Sequence, residues 1–184
     1  MKIKKRASRI LRLMVACAFL TAASIVLGKY LAVNLSDVLR FSFENLPIVL
    51  AGVAFGPVAG AAVGVVADLL GCVLVGYGVN PLVTIGAALI GAIAGIFRYL
   101  FNRPGGVSLL LKIISAEITA HLIGSVIVKT IGLSAWYDMD LIILMLWRLL
   151  NYVIISALEI PLLYAILKNR GISKQIDIIR GGRK

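Results

Sequence analysis

Between Phe55 and Gly71 the chain reads FGPVAGAAVGVVADLLG, in which Gly56, Gly60, Gly64 and Asp68 recur at every fourth position. On a helix that spacing lays them close to one stripe. Three bare positions let a second helix approach backbone to backbone, the small-xxx-small face of membrane helices. The stripe ends in a carboxylate set among Val, Ala and Leu. A charge at such depth costs roughly 2.5–3.5 kcal/mol on insertion scales, so it normally faces a cavity or a partner. The expectation is a tightly packed helix that presents Asp68 to a polar pocket.

The solvent around such a helix is the bilayer. Of the 184 residues 61% are hydrophobic, far above the roughly 45–50% of a soluble domain. Several apolar runs approach the ~20 residues that cross a bilayer as a helix. The chain is expected to be an all-α membrane protein, one integral membrane domain over residues 1–184. Its charge is no nucleic-acid signal. Six of the 19 Lys and Arg lie in the first twelve residues and six between Lys168 and Lys184, where positive charge fixes orientation and touches anionic lipid. The apolar run after the basic start continues to Leu27, long for the ~7–15 residues of a signal-peptide core. It is read as a first membrane helix. Cys17 and Cys72 sit inside apolar runs and read as small core residues, with neither a disulfide framework nor a metal site implied.

Taken in order, the sequence predicts helices over about 10–28, 44–55, 58–75, 82–100, 109–132 and 141–168, with basic tails over 1–9 and 169–184. The second has Pro47 in its first turn, where proline is tolerated. Its twelve residues reach about 18 Å, enough to cross only if tilted or helped by its ends. Lys29–Phe43, Gly76–Pro81 and Leu133–Asp140 read as connecting loops. Six helices put both termini on one side. The basic tails, with Arg98, Arg103 and Lys112 around the fourth connection, make that side the cytoplasm, a prokaryotic plasma membrane being expected. Ala18 and Ala22 form an AxxxA pair in the first helix, suited either to internal packing or to docking another membrane protein.

Catalytic signatures are missing from the sequence: it has no GxxxxGK[ST] loop, HExxH or paired CxxC, and GLSAW is no nucleophile elbow. His121 has no second histidine with which to share a metal. It reads as a neutral imidazole paired with Glu117 four residues earlier. Any ATP hydrolysis would belong to another chain. What remains is an uneven set of intramembrane polar groups. With the deduced orientation, Asp68, Lys129, Arg148 and Asn151 fall at similar depths in the outer half, below Tyr77, Asn80, Trp136 and Tyr137. Together they are expected to line a pocket open to the outside, with His121 near mid-depth. Glu159 reads as a structural partner for a kink at Pro161. A competing reading pairs Asp68 with Arg148 as a buried ion pair.

The short second helix, the FGP turn and the run GPVAGAAVGVVADLLG resemble the substrate-binding S components of energy-coupling factor (ECF) vitamin transporters, the folate-specific ones most of all. The likeness extends over nearly the whole chain. It implies a six-helix S-component fold that captures a vitamin from outside, then docks on a membrane coupling subunit and two cytoplasmic ATPases. The AxxxA docking motif of the family maps onto Ala18 and Ala22. Folate suits the expected pocket. Its pterin edge offers adjacent N–H donors to a carboxylate such as Asp68. Its rings would stack on Phe41, Phe43, Tyr77, Trp136 or Tyr137. Its dianionic tail is matched by Arg148, Lys129 or Arg40.

Other functions compete. The cargo of the same machinery would be riboflavin, pantothenate or a thiamine precursor, although the basic outer pocket counts against a cation. An intramembrane enzyme would use Glu117, His121 and Asp68 as acid–base groups, but no nucleophile or metal motif supports it. A membrane scaffold leaves the buried ionisable groups unexplained.

Overall fold

The computed structural model describes residues 2–34, 40–100 and 106–181. Helix α1, Lys2–Ile25, ends in one π-helical turn, Val26–Tyr30. The next segment forms an antiparallel ribbon in which β1, Val33–Asn34, pairs Val33 with Phe41 and Asn34 with Arg40 of β2, Arg40–Phe41. The expected loop over Lys29–Phe43 is thus partly ordered as helix end and ribbon; its residues 35–39 lie outside the described residues. Five further long or short helices then build the body: α2 (Asn45–Phe55), α3 (Pro57–Val75), α4 (Pro81–Leu100), α5 (Gly106–Ala120) with its continuation, and α7 (Leu141–Lys168). That continuation is a π-helical stretch, His121–Val128, followed by α6, Lys129–Tyr137. Leu133–Tyr137 is therefore helical, and the connection to α7 shortens to Asp138–Asp140. Asp138 caps α6 in the left-handed region and Asp140 caps α7, accepting from Ile143 N at 2.9 Å.

Among the described residues, five helical stretches are long and apolar enough to cross a membrane: Arg6–Tyr30, Pro57–Val75, Pro81–Tyr99, Leu109–Tyr137 and Leu141–Lys168. They leave large apolar side chains outward, Phe19, Val58, Val73 and Ile142 among them, a surface that water would not tolerate but acyl chains solvate. The shorter α2 is apolar all round and buried all round, with Ile48, Val49, Ala51, Val53 and Ala54 in the core. Such a helix belongs inside a bundle.

The core is a three-helix knot held by glycine. Gly56, at φ +105°, turns α2 into α3, where Pro57 opens the helix without needing a donor. A Cβ added to Gly60 would run into the Gly91 carbonyl of α4, and one added to Gly64 into the Ala87 carbonyl. Gly52 of α2 and Gly95 of α4 face equally close backbone, of Gly91 and Pro57 respectively. The stripe read from the sequence is thus the α3–α4 seam, and it lets main chains pack at a distance no side chain permits.

Residues expected as a basic tail instead form α8, Arg170–Arg180, capped by Asn169. Arg180 donates from Nε to the Ala54 carbonyl at 2.6 Å and from Nη2 to Val53 at 3.1 Å, satisfying the last turn of α2. Burial, with Arg98 nearby, holds the Arg180 guanidinium below its ordinary pKa. Arg9 of α1 donates to the Ile179 carbonyl at 3.1 Å. The start of α1 and the end of α8 therefore meet at one end of the bundle.

Candidate ligand cavity

The opposite end holds a cavity of about 170 Å³. It forms where the end of α1, the start of α2, the ends of α3 and α6, and the start of α7 converge. Asp68, Tyr77, Asn80, Lys129, Trp136, Tyr137 and Arg148 all line it. They come from α3, the α3–α4 connection, α6 and α7, and the fold brings these seven together.

Local geometry explains how each is held. Gly76, left-handed at φ +71°, stops α3 and sends Tyr77 and Gly78 across the mouth. Asn80 caps α4: its Oδ1 accepts from Leu82 N at 3.0 Å, and its Nδ2 donates to the Gly132 carbonyl of α6 at 2.7 Å. Asp68 ends the glycine stripe and accepts from Thr84 Oγ1 at 2.6 Å. Lys129, almost wholly buried, pairs with Glu44 at 3.3 Å. Arg148 donates from Nε and Nη2 to the Ser125 carbonyl at 3.3 and 3.1 Å, and its guanidinium lies 5.4 Å from the centre of the Tyr152 ring. Ser125 belongs to the π-helical stretch, and its carbonyl also accepts from Thr130 Oγ1 at 3.4 Å.

These bonds correct one expectation. Among the described residues Asp68 and Arg148 form no ion pair; Thr84 and Ser125 take their places. Other expected residues sit elsewhere. His121 and Asn151 are buried and do not line the cavity. Phe41 packs against Val126, Tyr152 and Ile155, and Phe43 is half-buried outside the lining. The Arg40 side chain lies outside the described residues. Three charged or aromatic groups escaped the sequence reading: Lys29, Glu44 and Tyr152. Lys29 sits on the π-helical turn after α1, its ammonium 5.8 Å from the Tyr77 ring centre. Its position just beyond the apolar run was the only available signal.

The lining thus sets three cations, Lys29, Lys129 and Arg148, against two carboxylates, Glu44 and Asp68. Tyr77, Trp136 and Tyr137 are more than half exposed at the rim. Such a site suits an anionic, partly aromatic ligand. Its volume is below the ~300–1,000 Å³ of typical ligand pockets, so a ligand of that size fits only by protruding past the rim or with rearrangement of the lining. A larger, apolar groove of about 320 Å³ runs along α5 and α7, but His121, Tyr152 and Ser156 are its polar groups; it offers no match for an anion.

Below the cavity, His121 Nε2 lies 2.7 Å from Glu117 Oε1 and 3.1 Å from Glu159 Oε2. Glu159 is therefore tied to His121 across the α5–α7 interface, and not to a kink at Pro161. The three side chains form a compact set of donors able to hold a metal ion.

Residues 12–170 match the family model of the ECF transporter substrate-specific component. The chain belongs to this family. It is a multi-pass membrane protein of the S-component fold. A crystal structure of FolT bound with folic acid superposes with a TM-score of 0.67 at 26% identity, covering 82% of this chain and 89% of that one. The S component of a bacterial ECF transporter gives 0.59 at 26% identity, over 85% and 98%. In sequence, the folate transporter FolT of Clostridium novyi (strain NT) is 30% identical over 87 residues, 47% of this chain and 50% of that protein. An uncharacterized MG313 homolog of Mycoplasma pneumoniae is 36% identical over 72 residues, 39% of this chain and 25% of that protein. The matched segments span half or less of these curated relatives. As an S component, this chain is most like FolT.

Proposed function

We propose that this S component binds folate from the outside and delivers it to an ECF-type importer. The observation that carries the reading is the likeness to folate-bound FolT over four fifths of the chain, joined to a cavity whose cations and rim aromatics match a dianion with two ring systems. Asp68 accepts the paired N–H donors of the pterin edge. Tyr77, Trp136 and Tyr137 cover the rings. Lys29, Lys129 and Arg148 meet the glutamate tail, arginine through two bonds. The cavity opens outward and the α1–α8 end faces the cytoplasm, in keeping with the basic residues clustered there. In this arrangement α2 is the sixth helix and the chain is one membrane unit, placed in a prokaryotic plasma membrane.

The energy comes from partners: a coupling T subunit and two ATPases, with no catalysis in this chain. Ala18 and Ala22 are exposed on α1 beside Val15, Phe19 and Val26, a smooth apolar face suited to close helix packing. Calorimetry on the detergent-purified protein, with riboflavin and pantothenate as controls, tests the cargo. Tight folate binding at one site per chain is expected. Binding of a control vitamin in its place moves the specificity, and silence for all three overturns the reading.

A further inference from the structure

We propose that Glu117, His121 and Glu159 form a buried divalent-cation site of the zinc class, set beneath the ligand cavity. Their donor atoms all lie within 4.8 Å of one another, and all three residues are buried. His121 Nε2 faces both carboxylates, at 2.7 Å from Glu117 Oε1 and 3.1 Å from Glu159 Oε2. Zn–N and Zn–O bonds of about 2.0–2.2 Å put tetrahedral ligands about 3.3 Å apart, so the Glu117 contact has to open by about 0.6 Å and the Glu159 contact by about 0.2 Å.

Two further observations point to a cation. Glu117 Oε2 and Glu159 Oε1 are buried with no hydrogen-bond partner among the described residues. Neither carboxyl forms an ion pair with a described Lys or Arg; both face His121 and each other. Two carboxylates in a low-dielectric interior carry a penalty of several kcal/mol per uncompensated charge. One divalent ion with a neutral imidazole cancels both. Ser125 Oγ also lies 3.2 Å from Nδ1; with a metal bound it would accept Nδ1–H, the tautomer that turns the Nε2 lone pair to the ion. On one face the Tyr152 ring stacks at 4.7 Å, fixing the ring plane. Imidazole with carboxylates is a borderline donor set that suits Zn²⁺, whereas an all-oxygen cage would suit Mg²⁺ or Ca²⁺.

The position gives such an ion a role. Glu117 and His121 lie on either side of the α5 to π-helix junction, and Glu159 lies on α7. Tyr152, stacked on His121, also meets the Arg148 guanidinium that lines the cavity. The ion would pin α5 to α7 directly below the arginine.

The test is a titration of chelator-treated, detergent-purified protein with zinc chloride by calorimetry, with Zn K-edge absorption on the loaded sample. One equivalent per chain, with one nitrogen and two carboxylate oxygens in the first shell, is expected. Glu159→Gln and His121→Ala should each weaken it at least 30-fold. Absence of binding by the folded wild-type protein overturns the proposal and leaves a proton shared by the two carboxyls, visible as a carboxylic-acid infrared band lost in Glu159→Gln. Undiminished binding in Glu159→Gln, which keeps the shape of the side chain, also overturns it.

Discussion

Thr84 Oγ1 donates to Asp68 Oδ2 across 2.6 Å, continuing a seam in which Gly64 meets Ala87 and Gly60 meets Gly91. The stripe that packs α3 on α4 thus ends in a carboxylate that lines the cavity: one bond orients Asp68, and its remaining acceptor capacity would serve a ligand. Asp68→Asn should reduce folate affinity at least tenfold, in line with ~1.5–3 kcal/mol for a hydrogen bond to a charged group. The melting temperature should move by only a few degrees. Thr84→Val, which frees Asp68 to turn, should weaken binding by less. Calorimetry and thermal unfolding in detergent read both; unchanged affinity in Asp68→Asn removes that residue from the site.

Gly91→Ala and Gly60→Ala should each destabilise the protein by about 1–3 kcal/mol or more, because the added methyl meets main-chain atoms that cannot rotate away. Gly76→Ala is the control. It meets nothing within 4 Å but must hold φ +71°, a strain of about 1–2 kcal/mol. A drop in thermal stability larger for the seam variants than for Gly76→Ala is the expected order.

Arg148→Lys keeps the charge but loses the planar fork that places two donors on the Ser125 carbonyl. Folate affinity should fall about tenfold by calorimetry. Equal affinity would show that only the charge of Arg148 matters.

Glu44→Gln removes the carboxylate that faces buried Lys129. The loss should be about 1–3 kcal/mol, below the ~3–5 of a fully buried pair, because the Glu44 side chain keeps 24% exposure. Adding Lys129→Met should recover more than half of that stability while abolishing tight folate binding. A strictly additive thermal-unfolding cycle would deny the coupling.

Ala18→Trp should leave folate binding intact and abolish uptake in cells that carry the ATPases and coupling subunit. Uptake that survives would move the docking face away from the exposed Ala18–Ala22 side of α1.

The helical body was legible because a bilayer tolerates few solutions: long apolar runs must be helices, and glycine at every fourth position must be a contact face. Asp68 was legible for the same reason, a charge where charge is costly. Helix α8 was not, since its segment read as a basic tail; its ordering depends on Arg180 reaching Val53 and Ala54, far away in the chain. Nor was Glu44 as the partner of Lys129, 85 positions apart, or Glu159 as the third member of the Glu117–His121 pair.

The sequence by itself determined the class of protein, the α3 stripe and most of the polar groups at the cavity end, because each follows from local spacing and from the cost of polarity in lipid. Only the tertiary structure decided the pairing among those groups. Arg148 takes a π-helix carbonyl and not Asp68, Lys129 takes Glu44, and His121 gathers two carboxylates. The physical reason is that an ionised group in a low-dielectric interior takes the compensating partner that packing brings within about 3 Å, and distance along the chain says nothing about which one that is.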